Sequence, residues 1–392
     1  MKNNTFRNII NPIMFIYILG LYIFTYRPGY NVISNLSAII LIIVIWLSNF
    51  ITKKKVIFNA YIIMQLIFIF ICAFSSIYAI NTDTSVSKVI TLLFLFVVTF
   101  SLVNYLDAVE KVEMVLSYIM YSGVITCIYI LTVSDFSYVT RFGGELGNVN
   151  SIGLNIAASA IICFSRIVSK KKYSYIILLL LMITCILLTG SRKSLLLVVG
   201  SFLLIAFLRN KNSIRKFIKF IIITALISLI FYYLIFEIPI FYKIIGHRFE
   251  NLFDFISGQG TNEGSINVRY NMTKIGLQFF IEKPILGYGI DNYRFLYAGT
   301  YSHNNAIELM VGTGIFGFLI YYLMQLTVLI DLIKMIRILK FRDIAHIFIT
   351  ILLSYILMSS ALIYYYTKIF GVLISIASAV RIIYKKDNMG EL

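Results

Sequence analysis

Charged residues are scarce in this chain. They make up 13% of its 392 residues, whereas hydrophobic residues make up 60%. Soluble domains carry about 25% charged residues, and the mean hydropathy here is +0.91. The composition therefore excludes a soluble globular domain and indicates an all-α integral membrane protein.

Cysteine and histidine are also scarce, with four and three residues in the whole chain. The cysteines lie inside apolar runs, which excludes a disulfide framework and makes packing their expected role. No cluster of histidine, cysteine and acidic residues has the spacing of a zinc site, so we expect neither a metal nor a cofactor. The residues are Cys72, Cys127, Cys163 and Cys185, and His247, His303 and His346.

Apolar runs divide the chain into about 12 predicted transmembrane helices. We see no repeat of half-chain length, so residues 1–392 are treated as a single polytopic membrane domain. Residues 237–302 form the one large polar interruption, predicted to be an extracytoplasmic loop with short helices. The runs are 10–26, 32–51, 56–79, 88–103, 114–133, 151–168, 173–189, 194–208, 217–236, 303–330, 344–363 and 366–384.

The distribution of positive charge predicts the orientation. The net charge is +17, and most basic residues fall in cytoplasmic segments if the N-terminus is cytoplasmic and the spans alternate. Lys53–Lys55 and Lys170–Lys172 are examples. The positive-inside rule thus favours two cytoplasmic termini and an outer loop at 237–302. Topology and anionic lipid account for the charge, and nucleic acid is not expected as a partner.

Residues 190–194, of sequence GSRKS, join two apolar runs and are predicted to form a tight hairpin on the outer side. Two adjacent cations there oppose the charge bias, at a cost of up to about 2.5–3.5 kcal/mol each at full membrane depth. They either extend to outer headgroups or form an anion site. In an anion site Arg192 would bind phosphate through its planar fork, with Lys193 beside it.

Two other arginines are candidates for the same anion. Arg141 lies in a second outer loop, 134–150, whose glycines and asparagines, among them Asn150, permit tight turns near a ligand. A surface ion pair with Glu145 is the alternative for Arg141. Arg269 begins a stretch with helical periodicity, residues 268–281, which follows a polar segment rich in turn-forming residues.

His303 closes the large loop and begins an apolar run. On the helix that it opens, Gly314 and Gly317 are predicted to lie about 20° and 40° from it on one face, a close-approach site for another helix. With an ordinary pKa near 6.5, histidine can act as a general base at neutral pH. Glu308 lies inside the same run, where a carboxylate is costly and often functional; it could orient a helix, pair with an arginine or stay protonated.

At these residues the sequence resembles the bacterial O-antigen ligase and O-antigen (capsular polysaccharide) polymerase superfamily. The family pattern is a histidine and a small polar residue, nine variable positions, a glycine, two variable positions and a small residue. Here it is met by His303, Asn304, Gly314 and Gly317. Further similarities are TGSRK at 189–193, GNVN at 147–150 and KPILGYG at 283–289, so the resemblance covers roughly residues 140–320.

The resemblance implies a membrane-type (GT-C-like) glycosyltransferase bundle that performs metal-independent, inverting transfer. Undecaprenyl-diphosphate-linked glycans would be the donors. Arg192 and Arg269 would stabilise the leaving diphosphate, and His303 would take the proton from the attacking sugar hydroxyl. The expected substrate-binding residues are Arg141, Lys193, Asn304, Glu308 and Asn150.

Two activities fit the resemblance. A polymerase joins lipid-linked repeat units into O-antigen or capsular polysaccharide, and a ligase transfers the finished glycan to a lipid A core or a protein. We favour the polymerase, because no distinctive acceptor site is legible. A flippase of lipid-linked sugars is less consistent with the lack of half-chain symmetry. The expected location is the bacterial cytoplasmic membrane with the active site facing outward. Expected partners are the donor and acceptor glycans, membrane lipids and a chain-length regulator.

Overall fold

The computed structural model describes residues 2–134, 141–210, 214–258, 264–297 and 299–389. Within those ranges the chain is α-helical and contains no β-strand. The helices are α1 (Lys2–Ile23), α2 (Asn31–Ile51), α3 (Ala60–Ser75), α4 (Thr82–Tyr105), α5 (Val109–Val133), α6 (Val149–Lys170), α7 (Tyr175–Leu188), α8 (Arg192–Asn210), α9 (Ile214–Phe236), α10 (Pro239–Phe241), α11 (His247–Ile256), α12 (Gly264–Glu282), α13 (Tyr293–Leu296), α14 (Asn305–Met335), α15 (Leu339–Leu357) and α16 (Lys368–Met389).

Nine helices among the described residues are long and apolar enough to cross a membrane, namely α1–α6, α9, α14 and α15. The prediction of an all-helical membrane protein is confirmed, whereas the predicted count of 12 spans is not. The other three predicted spans coincide with α7, which has only 14 residues, and with α8 and α16.

The chain forms two compact units. Unit 1 comprises Met1–Leu41, Val112–Asn262 and Arg342–Ser354, and unit 2 comprises Ile42–Lys111, Glu263–Phe341 and Tyr355–Leu392. The N-terminal half of the predicted outer loop, with α10 and α11, belongs to unit 1. Its C-terminal half, with α12 and α13, belongs to unit 2.

In unit 1, α6 packs against α7 and α8. Small residues permit this closeness, because a Cβ added at Gly153 would lie 2.6 Å from the hydroxyl oxygen of Ser194 at the start of α8. Gly153 therefore lets the start of α8 lie closely against α6. A buried hydrogen bond attaches α1 to the same helix, because the Tyr22 hydroxyl donates to the carbonyl oxygen of Asn155 at 3.0 Å.

In unit 2, α14 packs against α3, α12 and α16. The helix is broken at Gly314, which has φ 62° and ψ −164°. This backbone region is essentially restricted to glycine. A Cβ at this position would lie only 2.1 Å from the carbonyl oxygen of Ile285. The break therefore makes room for the loop that follows α12.

Main-chain hydrogen bonds join that loop to the broken helix. The amide of Ile315 donates to the carbonyl of Pro284 at 2.8 Å rather than continuing the helical pattern. The carbonyl of Val311, which an unbroken helix would pair with residue 315, instead accepts from Tyr288 at 2.8 Å. The amide of Gly289 donates to the next carbonyl, at residue 312, at 2.9 Å. We call this arrangement of residues 284–289 on residues 311–315 the loop splice.

Candidate active site

His303 lies in the turn before α14. Its φ of +59° is left-handed, and the helix begins only at Asn305. Asn304 is the N-cap, and its side-chain oxygen accepts from the amides of Ala306 and Ile307 at 3.0 and 3.2 Å. The predicted helical face shared by His303 and two glycines is therefore wrong. The turn places the imidazole ahead of the helix, half-buried, with its ring centroid 4.3 Å from that of Tyr301.

Glu308 anchors this turn. Its Oε2 accepts hydrogen bonds from the amide and the hydroxyl of Ser302 at 2.9 and 2.8 Å, and both residues are buried, with only 1% of each exposed. The Ser302 hydroxyl also lies 2.9 Å from the carbonyl oxygen of Asn304. Within the described part of the chain, Oε1 of Glu308 is buried without a hydrogen-bond partner. The carboxylate thus fixes Ser302, the residue before His303, to the first turn of α14, which Asn304, the residue after His303, caps.

Unit 2 also contains a cluster of charged residues around Asp291 that was not predicted from the sequence. Asp291, which is buried with φ +61°, forms ion pairs with Lys88 of α4 at 3.4 Å and Arg294 at 2.8 Å. The Lys88 ammonium lies over the ring of Tyr366, 3.6 Å from its centroid. Burial opposes the charge on Arg294, but Asp291 outweighs that effect and the pKa of Arg294 is raised. Arg294 also interacts electrostatically with Glu308, which connects this cluster with the His303 turn.

In unit 1, a tight connection lies where the hairpin of residues 190–194 was predicted. Helix α7 ends at Leu188 and α8 begins at Arg192, so residues 189–191 make the connection and residues 192–194 of the predicted hairpin belong to α8. Gly190 supplies a left-handed φ of +59°, and the hydroxyl of Ser194 donates to that of Ser191 at 2.8 Å. Arg192 therefore lies in the first turn of α8, where the helix dipole favours an anion.

Two further arginines hold the hairpin. Arg141 donates from Nε to the carbonyl of Thr189 at 2.8 Å and from Nη2 to Oδ1 of Asn150 at 2.7 Å. Arg248, at the start of α11, donates to the carbonyl of Gly190 at 2.7 Å, and its own carbonyl accepts from Arg192. Arg141 and Asn150 were predicted to belong to the site, whereas Arg248 was not.

This group, comprising Arg141, Arg192, Lys193 and Arg248, we call the arginine cluster. All four side chains are half-buried. Partial burial strengthens electrostatic attraction, and guanidinium groups bind phosphate oxygens through two parallel hydrogen bonds. The arginine cluster can therefore bind an anion and stabilise negative charge that develops on it.

The structure thus places the predicted site residues in two groups. Unit 1 contains Arg141, Asn150, Arg192 and Lys193, and unit 2 contains Arg269 of α12, His303, Asn304 and Glu308. Their action on one substrate remains a prediction. No group of three or more His, Cys, Asp or Glu residues that could hold a metal ion occurs in the described ranges.

Residues 177–322 match the family model described as O-antigen ligase. The match confirms the resemblance to the O-antigen ligase/polymerase superfamily. The matched segment includes the hairpin, α12, the loop splice and the His303 turn, whereas Arg141, Asn150 and Lys88 lie outside it. A search of curated proteins finds no match.

Proposed function

We propose that the protein is a glycosyltransferase that polymerises undecaprenyl-diphosphate-linked repeat units into O-antigen or capsular polysaccharide. The family match supports a function related to O-antigen ligation or polymerisation. The observation that carries the chemical proposal is the anchored turn, in which Glu308 and the Asn304 cap hold the residues flanking a half-buried imidazole.

In the proposed reaction, a hydroxyl oxygen of the acceptor sugar attacks the anomeric carbon of the donor sugar. His303 takes the hydroxyl proton as the new bond forms. The bond between the anomeric carbon and the diphosphate oxygen breaks, and the diphosphate leaves with the electron pair. Attack opposite the leaving group inverts the configuration at the anomeric carbon.

The leaving diphosphate needs positive charge in place before the bond breaks. Arg192 and Arg269 are proposed to supply it, with Arg141 and Lys193 contributing to diphosphate binding. The half-buried guanidinium groups at the hairpin support this role. Because arginine presents a planar fork, replacement by lysine would keep the charge but lose the bidentate geometry.

The lipid-linked donor is proposed to enter from the bilayer, with transfer at the outer face of the cytoplasmic membrane. A location in a membrane is consistent with the apolar helices. The outward-facing site rests on the positive-inside rule. A partner that sets chain length remains an expectation from the resemblance.

A ligase is the second candidate, because the matching family is described as O-antigen ligase. It would transfer the finished glycan from the same class of donor to a lipid A core or a protein. The two activities differ in the acceptor, so supplying one substrate at a time separates them.

The test incubates purified protein with a lipid-diphosphate-linked repeat unit and resolves the glycans by gel electrophoresis. A polymerase extends the lipid-linked chain with no other acceptor present. A ligase forms product only when a lipid A core or protein acceptor is added. Movement of lipid-linked sugar across vesicles without longer or transferred glycans would instead support a flippase and contradict both proposals.

A further inference from the structure

A large cavity lies in unit 2, far from the His303 turn. Its volume is about 770 Å³, within the range of ligand sites. It is bordered by the start of α3 and by the C-terminal parts of α14 and α16. Asp331, which lines it, lies close to the C-terminal end of α14 (Asn305–Met335), whereas the His303 turn precedes the N-terminal end of that helix. The cavity and the His303 turn therefore lie at opposite ends of α14.

The cavity is rich in positive charge. Four of its lining residues are cations, namely Lys55, Arg381, Lys385 and Lys386, and only one is a carboxylate. That carboxylate, on Asp331, is already neutralised by Arg381 at 2.8 and 2.9 Å. The cavity therefore keeps an excess of positive charge for an anion.

Nearby charges do not cancel this excess. Asp107 does not line the cavity, but its carboxylate lies 3.8 Å from the ammonium of Lys386, which does. Two closer lysines already share it, Lys54 at 3.0 Å and Lys111 at 2.7 Å. The lysines around Asp107 therefore add to the positive field.

The remaining wall suits a molecule that is part polar and part apolar. Asn59 caps the N-terminus of α3, where the helix dipole favours an anion. Ile57, Phe58, Tyr61 and Ile382 provide an adjoining apolar and aromatic surface. An inorganic anion would use only the first of these two surfaces, whereas an acylated phosphate would use both.

We infer that this cavity binds an anionic phospholipid. Its phosphate would lie among Lys55, Lys385 and Lys386, and an acyl chain would lie against Phe58 and Tyr61. Basic pockets between membrane helices on the cytoplasmic side recognise anionic headgroups in this way. The site is independent of the proposed transferase activity.

The test uses the full-length protein in nanodiscs that contain phosphatidylcholine with a minor fraction of phosphatidylglycerol. Lipids that remain bound after transfer to detergent are counted by native mass spectrometry. The wild type should retain phosphatidylglycerol preferentially. Lys385→Gln/Lys386→Gln should weaken that retention by about 10- to 30-fold, since each lysine near an anionic lipid contributes about 1 kcal/mol.

The matched control is Lys171→Gln/Lys172→Gln, which removes the same charge from two exposed lysines at the end of α6. It should leave retention unchanged, and equal losses from the two double variants would overturn the site. Ala60→Trp, which fills the cavity from an exposed position, should displace the lipid without removing charge. Retention at the wild-type level in that variant would contradict the assigned location.

Inorganic phosphate distinguishes a lipid from a free anion. Added in excess over phosphatidylglycerol, it should leave the retained lipid in place. Displacement by phosphate, or wild-type protein that shows no preference for phosphatidylglycerol over phosphatidylcholine, would refute the inference.

Discussion

Replacement of Gly314 by alanine tests the loop splice. Alanine at φ 62° and ψ −164° costs about 1–3 kcal/mol of backbone strain. Its Cβ would lie 2.1 Å from the carbonyl oxygen of Ile285, so the loop would have to move. The three splice hydrogen bonds contribute about 0.5–1.5 kcal/mol each. We therefore expect Gly314→Ala to lose about 3–7 kcal/mol, with disorder beginning in the loop of residues 284–289.

The measurement compares the thermal stability of purified variants in detergent by size-exclusion chromatography after heating. Gly200→Ala is the control, because Gly200 lies inside α8 with no atom within 4 Å of an added Cβ. Alanine in a helix interior is favoured by about 0.5–1 kcal/mol over glycine, so this control should match or exceed the wild-type stability. If the Gly314→Ala protein has the same thermal stability as the wild type, the proposed role of the loop splice is refuted.

Gly317→Ala separates the splice from general crowding in α14. An added Cβ there would lie 2.0 Å from the hydroxyl oxygen of Thr313, a side chain of the same helix, rather than from the loop. Rotation of that side chain removes the contact with its hydroxyl, at the cost of its hydrogen bond to the carbonyl of Leu309. It does not remove the 2.4 Å approach to the Cβ of Thr313, so the helix backbone must also shift. We expect a loss of about 1–3 kcal/mol, the usual cost of overpacking, which is below that of Gly314→Ala.

Three further substitutions test the two groups of site residues in the transfer assay. Glu308→Ala leaves the buried amide of Ser302 without its hydrogen-bond acceptor, which costs about 1–3 kcal/mol. The kcat of this variant should therefore fall about 5- to 150-fold. The kcat of Glu308→Gln, which keeps a carbonyl oxygen as acceptor, should fall less. Arg248→Ala removes the donor to Gly190 but keeps the carbonyl that accepts from Arg192. This substitution should raise KM for the lipid-linked donor about fivefold, which corresponds to about 1 kcal/mol of lost binding free energy. Arg248→Lys should raise KM less. Arg192→Lys should be impaired despite its retained charge.

Each of these has a result that contradicts it. Unchanged kcat in Glu308→Ala would show that the anchored turn does not position the base. Unchanged KM in Arg248→Ala would limit Arg248 to packing. Wild-type turnover in Arg192→Lys would favour simple extension of the side chain to lipid headgroups.

Local signals in the sequence predicted much of the fold. The helical periodicity of residues 268–281 corresponds to α12, which ends just before Pro284. The short polar stretch between two apolar runs predicted the hairpin before Arg192. These features depend on neighbouring residues, so spacing and composition are sufficient to reveal them.

Features that join distant parts of the chain were not predicted. The loop splice uses main-chain groups, which leave no residue-specific signal apart from glycines such as Gly314. The pairing of Lys88 with Asp291 joins residues about 200 positions apart, although a lysine in a predicted span was a signal that a partner was needed. The N-cap Asn304 was a local signal that would have excluded His303 from the helix.

The central claim is that His303 accepts the acceptor's proton during glycosyl transfer from a lipid diphosphate. The most direct measurement compares wild-type and His303→Ala protein, both shown to insert into the membrane, in single-turnover reactions with a purified lipid-linked repeat. We predict longer glycans and released lipid diphosphate from the wild type, and neither from the variant, which should still bind the donor. Normal chain growth by His303→Ala would contradict it.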